Sequence, residues 1–98
     1  MMPPSGSAQD PHLLEQRKRL RFRSWHRGTK ELDLLLGTFA DLWLDRFGAE
    51  QLGRYEALLE SSDPDLFAWI VQGEAAPAAF QTDVLDLLRT VQTTTIRN

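Results

Sequence analysis

One short stretch of this chain, Trp25-His26-Arg27-Gly28-Thr29-Lys30-Glu31-Leu32-Asp33, combines charge with backbone freedom; it is called the Gly28 corner below. Arg27 directly precedes Gly28, and Glu31 follows three residues after it. A glycine has no Cβ, so another protein's backbone can approach closely, with Arg27 as a hydrogen-bond donor fork and Glu31 as an acceptor beside the contact. The plainer interpretation is a glycine cap between two helices, flanked by ordinary surface charges.

The other polar residues do not suggest catalysis or metal binding. His12 and His26 are fourteen residues apart, and neither has a partner at the spacing of a helical metal site. Asp63 and Asp65 resemble paired catalytic carboxylates, but Pro64 between them favours helix capping instead. Because cysteine and a glycine-rich phosphate loop are also absent from the sequence, we expect no catalytic residues, no metal site and no enzyme activity.

The basic residues are concentrated near the start of the chain. Residues 1–30 hold seven Lys and Arg against two acids, whereas residues 31–98 hold four against twelve, so charges of +5 and −8 give the net charge of −3. The run from Arg17 to Arg23 predicts a helix with a wide basic face in solvent. That face could be merely solvated, could bind a protein, or could bind nucleic acid, which the acidic remainder of the chain disfavours.

Caps and hydrophobic periodicity predict an all-α fold, a compact five-helix bundle in one domain over residues 11–92. The expected helices run from about Pro11 to His26, Thr29 to Phe47, Ala49 to Glu60, Pro64 to Gln72, and Ala78 to Val91. The second is apolar over most of its circumference, so it should be the central helix. Gly37 within it predicts close approach of a neighbouring helix. A monomer is expected, and a dimer through an uncovered patch of the second helix is the alternative.

The ends of the chain carry no motif, and tails are expected at residues 1–10 and 93–98. Residues 1–10 lack the apolar stretch of a secretory signal and the arginines of a mitochondrial presequence. This favours the bacterial cytoplasm over the mitochondrial matrix. No apolar run approaches the roughly 20 residues that a bilayer span requires.

The stretch Arg27-Gly28-Thr29-Lys30-Glu31 resembles the RGxxE signature of the succinate dehydrogenase flavinylation factors, also called FAD assembly factors or SdhE proteins. The flanking residues 22–26 and 32–39 resemble the same family. So does a second block, Leu58-Leu59-Glu60-x-x-Asp63-Pro64-Asp65-Leu66-Phe67-x-Trp69. The resemblance covers about residues 12–92, and two blocks at this separation are far more specific than RGxxE alone.

The resemblance implies a function that the physical pattern does not. Members bind the flavoprotein subunit of succinate dehydrogenase, and in bacteria often that of fumarate reductase, and they promote covalent attachment of FAD to a histidine of that subunit. This chain would then bind no cofactor covalently itself. The partner-binding residues implied by the match and its surroundings are Arg23, His26, Arg27, Gly28, Glu31 and Asp33. The alternative function is a helical regulatory or nucleic-acid-associated protein that uses residues 17–23.

Overall fold

The computed structural model describes residues 10–96, and side chains up to residue 91. The described part contains five α-helices and no strand. They are α1 (Pro11–Trp25), α2 (Lys30–Trp43), α3 (Ala49–Leu59), α4 (Asp63–Ile70) and α5 (Asp83–Ile96), with short 3₁₀ helices at Leu44–Arg46 and Ala78–Phe80. The predicted all-α bundle is therefore confirmed. Residues 1–9 and 97–98 of the expected tails lie outside the described residues, whereas the backbone of residues 93–96 continues α5.

Two of the helices begin at the proline signals seen in the sequence. The carboxylate of Asp10 accepts a hydrogen bond from the backbone N–H of His12 at 2.8 Å, which caps the start of α1. At α4 the cap is Ser62 rather than Asp63: the Ser62 hydroxyl accepts from the N–H of Asp65 at 3.3 Å. Because Ser62 takes the capping role, the carboxylate of Asp63 is available for another contact.

Three helix bounds differ from the expectation by more than two residues, one of them being the end of α5 at Ile96 rather than Val91. The helix predicted to reach Phe47 ends at Trp43 and tightens into a 3₁₀ turn before Gly48. The last helix begins at Asp83 rather than Ala78, because Phe80 belongs to a separate 3₁₀ turn and stacks on Trp69, with ring centroids 5.3 Å apart. Hydrophobic spacing had placed Phe80 on the same stripe as the rest of α5.

Helix α2 lies at the centre of the core, as its composition predicted. Its side chains Leu35, Leu36, Phe39 and Ala40 are fully buried. It packs against both α1 and α5. The close approach predicted at Gly37 is confirmed, since the indole of Trp25 from α1 lies against that glycine.

The wide basic face predicted for α1 is wrong. Three of its arginines form ion pairs with acids of the segments packed beside α1, at N–O distances of 3.1 to 3.9 Å. These pairs are Arg19–Glu56, Arg21–Asp41, Arg21–Asp45, Arg23–Glu56 and Arg23–Glu60. These arginines thus form ion pairs between packed segments, because acidic residues from the later part of the chain lie directly opposite them.

Arg17 departs furthest from the expectation, since only 4% of it is exposed. Its Nε donates to the carbonyl of Leu44 at 2.8 Å, and one terminal nitrogen donates to the carbonyl of Phe47 at 2.7 Å. These carbonyls follow the last turn of α2. The Leu44 carbonyl also accepts from the N–H of Phe47 at 3.2 Å, and Arg17 supplies a donor to the Phe47 carbonyl beyond that turn. Arg17 therefore closes the end of α2 from α1.

A second helix end is closed in the same way. Arg89 of α5 donates from Nε to the carbonyl of Trp69 and from a terminal nitrogen to the carbonyl of Glu74, both at 2.9 Å. Trp69 lies in the last turn of α4, and Glu74 lies in the loop that follows. The guanidinium fork suits this task because its donors are fixed in one plane.

Candidate functional site

The Gly28 corner is the junction between α1 and α2. His26 ends α1, and Gly28 has φ of +115°, a left-handed conformation that side-chain-bearing residues rarely adopt. A Cβ built at Gly28 would meet no atom within 4 Å. The corner is therefore open to the outside, and the fold requires glycine there for its backbone angle rather than for internal space.

Asp33 holds the corner from the first turn of α2. Its Oδ1 accepts from the backbone N–H of Arg27 at 2.6 Å and from that of Gly28 at 3.1 Å. A carboxylate that reaches back to N–H groups ahead of its helix resembles one half of a capping box, and its charge suits the positive end of the helix dipole. Asp33 is half-buried in this arrangement, so it shapes the loop from within.

The side chain of Arg27 points into the molecule, and 13% of it is exposed. Its Nε donates to Asp63 at 3.0 Å, and its two terminal nitrogens donate to the carbonyls of Leu59 at 2.8 Å and Ser61 at 2.9 Å. Arg27 thereby closes the end of α3, as Arg17 closes the end of α2. The sequence predicted that the Arg27 guanidinium is free to donate to a partner. In the unbound chain its donors are instead bonded within the molecule.

The outward surface of the corner is formed by other residues. Glu31 is exposed, and none of the ion pairs or hydrogen bonds found among the described residues involves its side chain. His26 is exposed and stacks on Phe22, with ring centroids 4.1 Å apart. Phe22 is itself 64% exposed, an unusual exposure for a phenylalanine. Arg23 follows Phe22 in α1, and its side chain pairs with Glu60 at 3.1 Å.

Two shallow depressions border the corner. One, of about 170 Å³, is lined by Phe22, Arg23, His26 and Arg27. The other, of about 340 Å³, lies between the first turns of α2 and α4. Its lining is mostly apolar and consists of Thr29, Glu31, Leu32, Asp63, Pro64 and Phe67. Both depressions are open to the outside, and such surfaces suit contact with another protein.

Sequence reasoning missed Asp63 as a site residue. It was assigned to helix capping, yet it forms an ion pair with Arg27 across 36 residues of chain. The two blocks that resemble one family therefore meet in space through this pair. The only signal in the sequence was the presence of Asp63 within the second block, because local spacing cannot reveal a contact at that separation.

A buried hydroxyl pair lies beneath the corner. The Tyr55 hydroxyl of α3 is hydrogen-bonded to Ser24 of α1 and donates to the carbonyl of Leu36 in α2. Burial raises the pKa of Tyr55 well above its usual value, against the smaller opposing effects of the Ser24 hydrogen bond and nearby arginines. The phenol therefore stays protonated and joins three helices that support the corner.

The described residues contain no cluster of three or more histidine or acidic side chains able to hold a metal ion. None of the helices in that part of the chain has the length and apolar character needed to cross a membrane.

Comparison with known proteins gives one consistent result. A family model described as the flavinator of succinate dehydrogenase matches residues 18–92. "Succinate dehydrogenase assembly factor 2, mitochondrial" of Dictyostelium discoideum is 44% identical over 73 residues, which cover 74% of this chain and 52% of that protein. "FAD assembly factor SdhE" of Acetobacter pasteurianus is 46% identical over 66 residues, covering 67% and 60%.

A third relative extends the match towards the ends of the chain. "Succinate dehydrogenase assembly factor 2-A, mitochondrial" of Drosophila ananassae is 36% identical over 90 residues, covering 90% of this chain and 58% of that protein. The chain thus spans between half and three fifths of the length of these curated relatives.

Proposed function

This chain belongs to the family of flavinators of succinate dehydrogenase, and on that premise we propose that it is an assembly factor for a flavoprotein. It binds the flavoprotein subunit of succinate dehydrogenase and promotes covalent attachment of FAD to that subunit. The observation that carries the proposal is the family match over residues 18–92, which includes the whole Gly28 corner and the second block around Asp63.

The geometry supports a division of labour within the corner. Gly28, Glu31 and His26 are exposed and make direct contact with the flavoprotein subunit. Arg27 and Asp33 form hydrogen bonds within the chain. They therefore hold the backbone of Gly28 in the position that the flavoprotein subunit contacts. Arg23 lines the same depression as Phe22 and His26, and it pairs with Glu60.

The chemistry belongs to the partner in this proposal. A histidine of the flavoprotein subunit and the FAD form the covalent bond, and this chain stabilises the arrangement of the subunit in which they meet. The corner offers a glycine backbone, one carboxylate and one stacked imidazole, an arrangement suited to recognition. The chain carries no covalently bound cofactor of its own in this proposal, since FAD is attached to the partner, and it acts as a monomer, with a dimer as the alternative.

Two further parts of the proposal go beyond the relatives' names. The flavoprotein subunit of fumarate reductase is proposed as a second client of the same corner, on the family resemblance stated above. The bacterial cytoplasm is proposed as the compartment on the 46% identity to a bacterial relative, whereas the other two relatives described above are named as mitochondrial proteins. Nucleic-acid binding through residues 17–23 is not favoured, because Arg17 is buried and its neighbours pair with acids.

A reconstituted assay tests the function. Purified apo-flavoprotein subunit is incubated with FAD, with or without this chain, and covalent flavin is read as fluorescence after denaturing electrophoresis. The chain should increase the rate, and Gly28→Arg should remove the increase because its side chain blocks approach. Gly73→Arg is the matched control, since Gly73 also has a positive φ and a Cβ there also meets open space. A wild-type chain without effect on covalent flavin would overturn the proposal.

A further inference from the structure

We propose that Asp63 is a positioning residue for the Gly28 corner, an inference that rests on the proposed function. Asp63 does not touch the partner in this view. Through its bond to Arg27 it fixes the corner to the turn between α3 and α4. It thereby sets the position of the Gly28 backbone, which the flavoprotein subunit contacts.

One carboxylate oxygen of Asp63 is close to two nitrogens of the Arg27 guanidinium. The Oδ1 of Asp63 accepts from Nε of Arg27 at 3.0 Å and lies 2.8 Å from a terminal nitrogen of the same guanidinium. Both side chains are largely shielded, with 13% of Arg27 and 27% of Asp63 exposed. A charge-assisted pair of this geometry fixes direction as well as distance.

Arg27 is held at both of its ends. Its backbone N–H is bonded to Asp33 on α2, while its side chain is bonded to Asp63 on α4 and to the carbonyls of Leu59 and Ser61. Gly28 is the next residue, and its only neighbours in the chain are Arg27 and Thr29. The position of Gly28 is therefore set by hydrogen bonds from Arg27 to three helices. Among the described residues, Asp63 is the only charged partner of the Arg27 side chain.

The role of Asp63 is separable from capping. Ser62 supplies the N-cap hydrogen bond of α4, so removal of the Asp63 charge leaves that cap in place. Asp65 lies in the same turn, is exposed, and has no ion pair in the described part of the chain. Both carboxylates experience the same helix dipole. A comparison of the two residues therefore isolates the bond to Arg27.

The test uses Asp63→Asn, with Asp65→Asn as the matched control, in the flavinylation assay with apo-flavoprotein subunit and FAD. The chain is titrated well below its melting temperature. For Asp63→Asn the half-saturating chain concentration should rise about tenfold, which corresponds to about 1.4 kcal/mol of binding free energy. The maximal rate at saturation should stay within about twofold of wild type, and Asp65→Asn should match wild type in both.

A second pair of variants protects the test against misfolding. Arg27→Lys keeps the positive charge but cannot reach three acceptors with one fork, so its half-saturating concentration should also rise. Asp63→Glu keeps the charge of the acceptor and should recover most of the affinity lost in Asp63→Asn. Recovery of this kind would not be expected if only the side-chain volume at residue 63 mattered.

The outcomes separate this inference from its premise. If Asp63→Asn lowers the melting temperature but leaves the half-saturating concentration at the value for Asp65→Asn, the residue is merely structural and the inference is overturned. The proposed function stands in that case, since wild type still promotes flavinylation. If wild type itself has no effect on covalent flavin, the proposed function fails and this inference fails with it.

Discussion

The indole of Trp25 occupies the space that a Cβ at Gly37 would fill. The ring of Trp25 on α1 therefore packs directly against the backbone of α2 at Gly37. The two residues lie on the antiparallel pair of helices that leads into and out of the Gly28 corner. Close contact here holds the end of α1 against α2 directly beside the proposed docking surface. The stability of the corner thus depends on a glycine that is not itself in the corner.

Gly37→Ala should destabilise the fold although alanine favours helix by about 1 kcal/mol. The added methyl group overlaps the ring of Trp25, and displacement of the indole should cost about 1 to 3 kcal/mol net, the usual range for overpacking. Urea unfolding followed by circular dichroism measures the difference. Gly53→Ala on α3 meets open space and should be neutral or stabilising. Equal gains from both substitutions would contradict the packing described.

Gly28→Ala should combine a loss of stability with a loss of binding. The φ of +115° should cost a residue with a Cβ about 1 to 3 kcal/mol. Gly73→Ala is the matched control, because Gly73 has φ of +72° and open space around it but lies at the far end of α4. Both variants should lose stability, and only Gly28→Ala should also raise the half-saturating concentration in the flavinylation assay. Equal binding by the two variants would argue against contact at Gly28.

Arg17→Met should cost about 1 to 3 kcal/mol of unfolding free energy. The substitution removes the donors that bond the carbonyls of Leu44 and Phe47. The Leu44 carbonyl keeps its bond from the N–H of Phe47, whereas the Phe47 carbonyl loses the Arg17 donor in a buried place. Lys18→Met, one residue along and exposed, should change stability by less than about 0.5 kcal/mol. Thermal and urea unfolding of the two variants provide the comparison, and similar values would mean that Arg17 is solvated rather than buried.

Glu56 should contribute a small acid-side dependence of stability. A hydrogen bond from Gln16, with further help from Arg19, lowers the pKa of Glu56 below its usual 4.5. A carboxyl group whose pKa is lower in the folded state stabilises the fold above its unfolded pKa, and this stabilisation is lost as the pH falls through the folded pKa. Because the side chain is about one-third exposed, we expect less than about 1 kcal/mol.

Glu56→Gln tests this dependence through urea unfolding between pH 3 and pH 6. The variant should lose less stability than wild type as the pH falls through this range. Glu15→Gln is the control, since Glu15 is an exposed carboxylate of α1 with no ion pair among the described residues. A wild-type slope in Glu56→Gln would contradict the assignment.

Much of the fold was predictable because its signals are local. Asp10-Pro11 and Ser62-Asp63-Pro64 contain the chemistry that starts a helix, and Gly28 has the backbone freedom that joins two. Gly28 and Glu31 are exposed beside the junction that these local signals predict, whereas their role as partner-binding residues is implied by the family resemblance. Phe80 shows where a local signal fails, since hydrophobic spacing cannot distinguish a helical turn from a 3₁₀ turn that stacks on Trp69.

The inward arginines could not have been predicted from local spacing. A run of charge is typical of a solvated face, and nothing near Arg17 or Arg27 in the sequence identifies acceptors that lie about thirty residues away. Those acceptors are backbone carbonyls, which every residue possesses, so no residue type marks them. Asp63 was misassigned for a related reason, because an acid next to a proline already has an explanation within its own helix.

The three arginine closures have a consequence for how the protein melts. The end of α2 is completed by Arg17 of α1, the end of α3 by Arg27 of the Gly28 corner, and the end of α4 by Arg89 of α5. Each of these helix ends takes hydrogen-bond donors from another segment in addition to its own backbone bonds. Detachment of α1 or α5 therefore removes hydrogen-bond donors from a neighbour as well as apolar contact. Denaturation should therefore be all-or-none across the bundle, and the bundle should not come apart helix by helix.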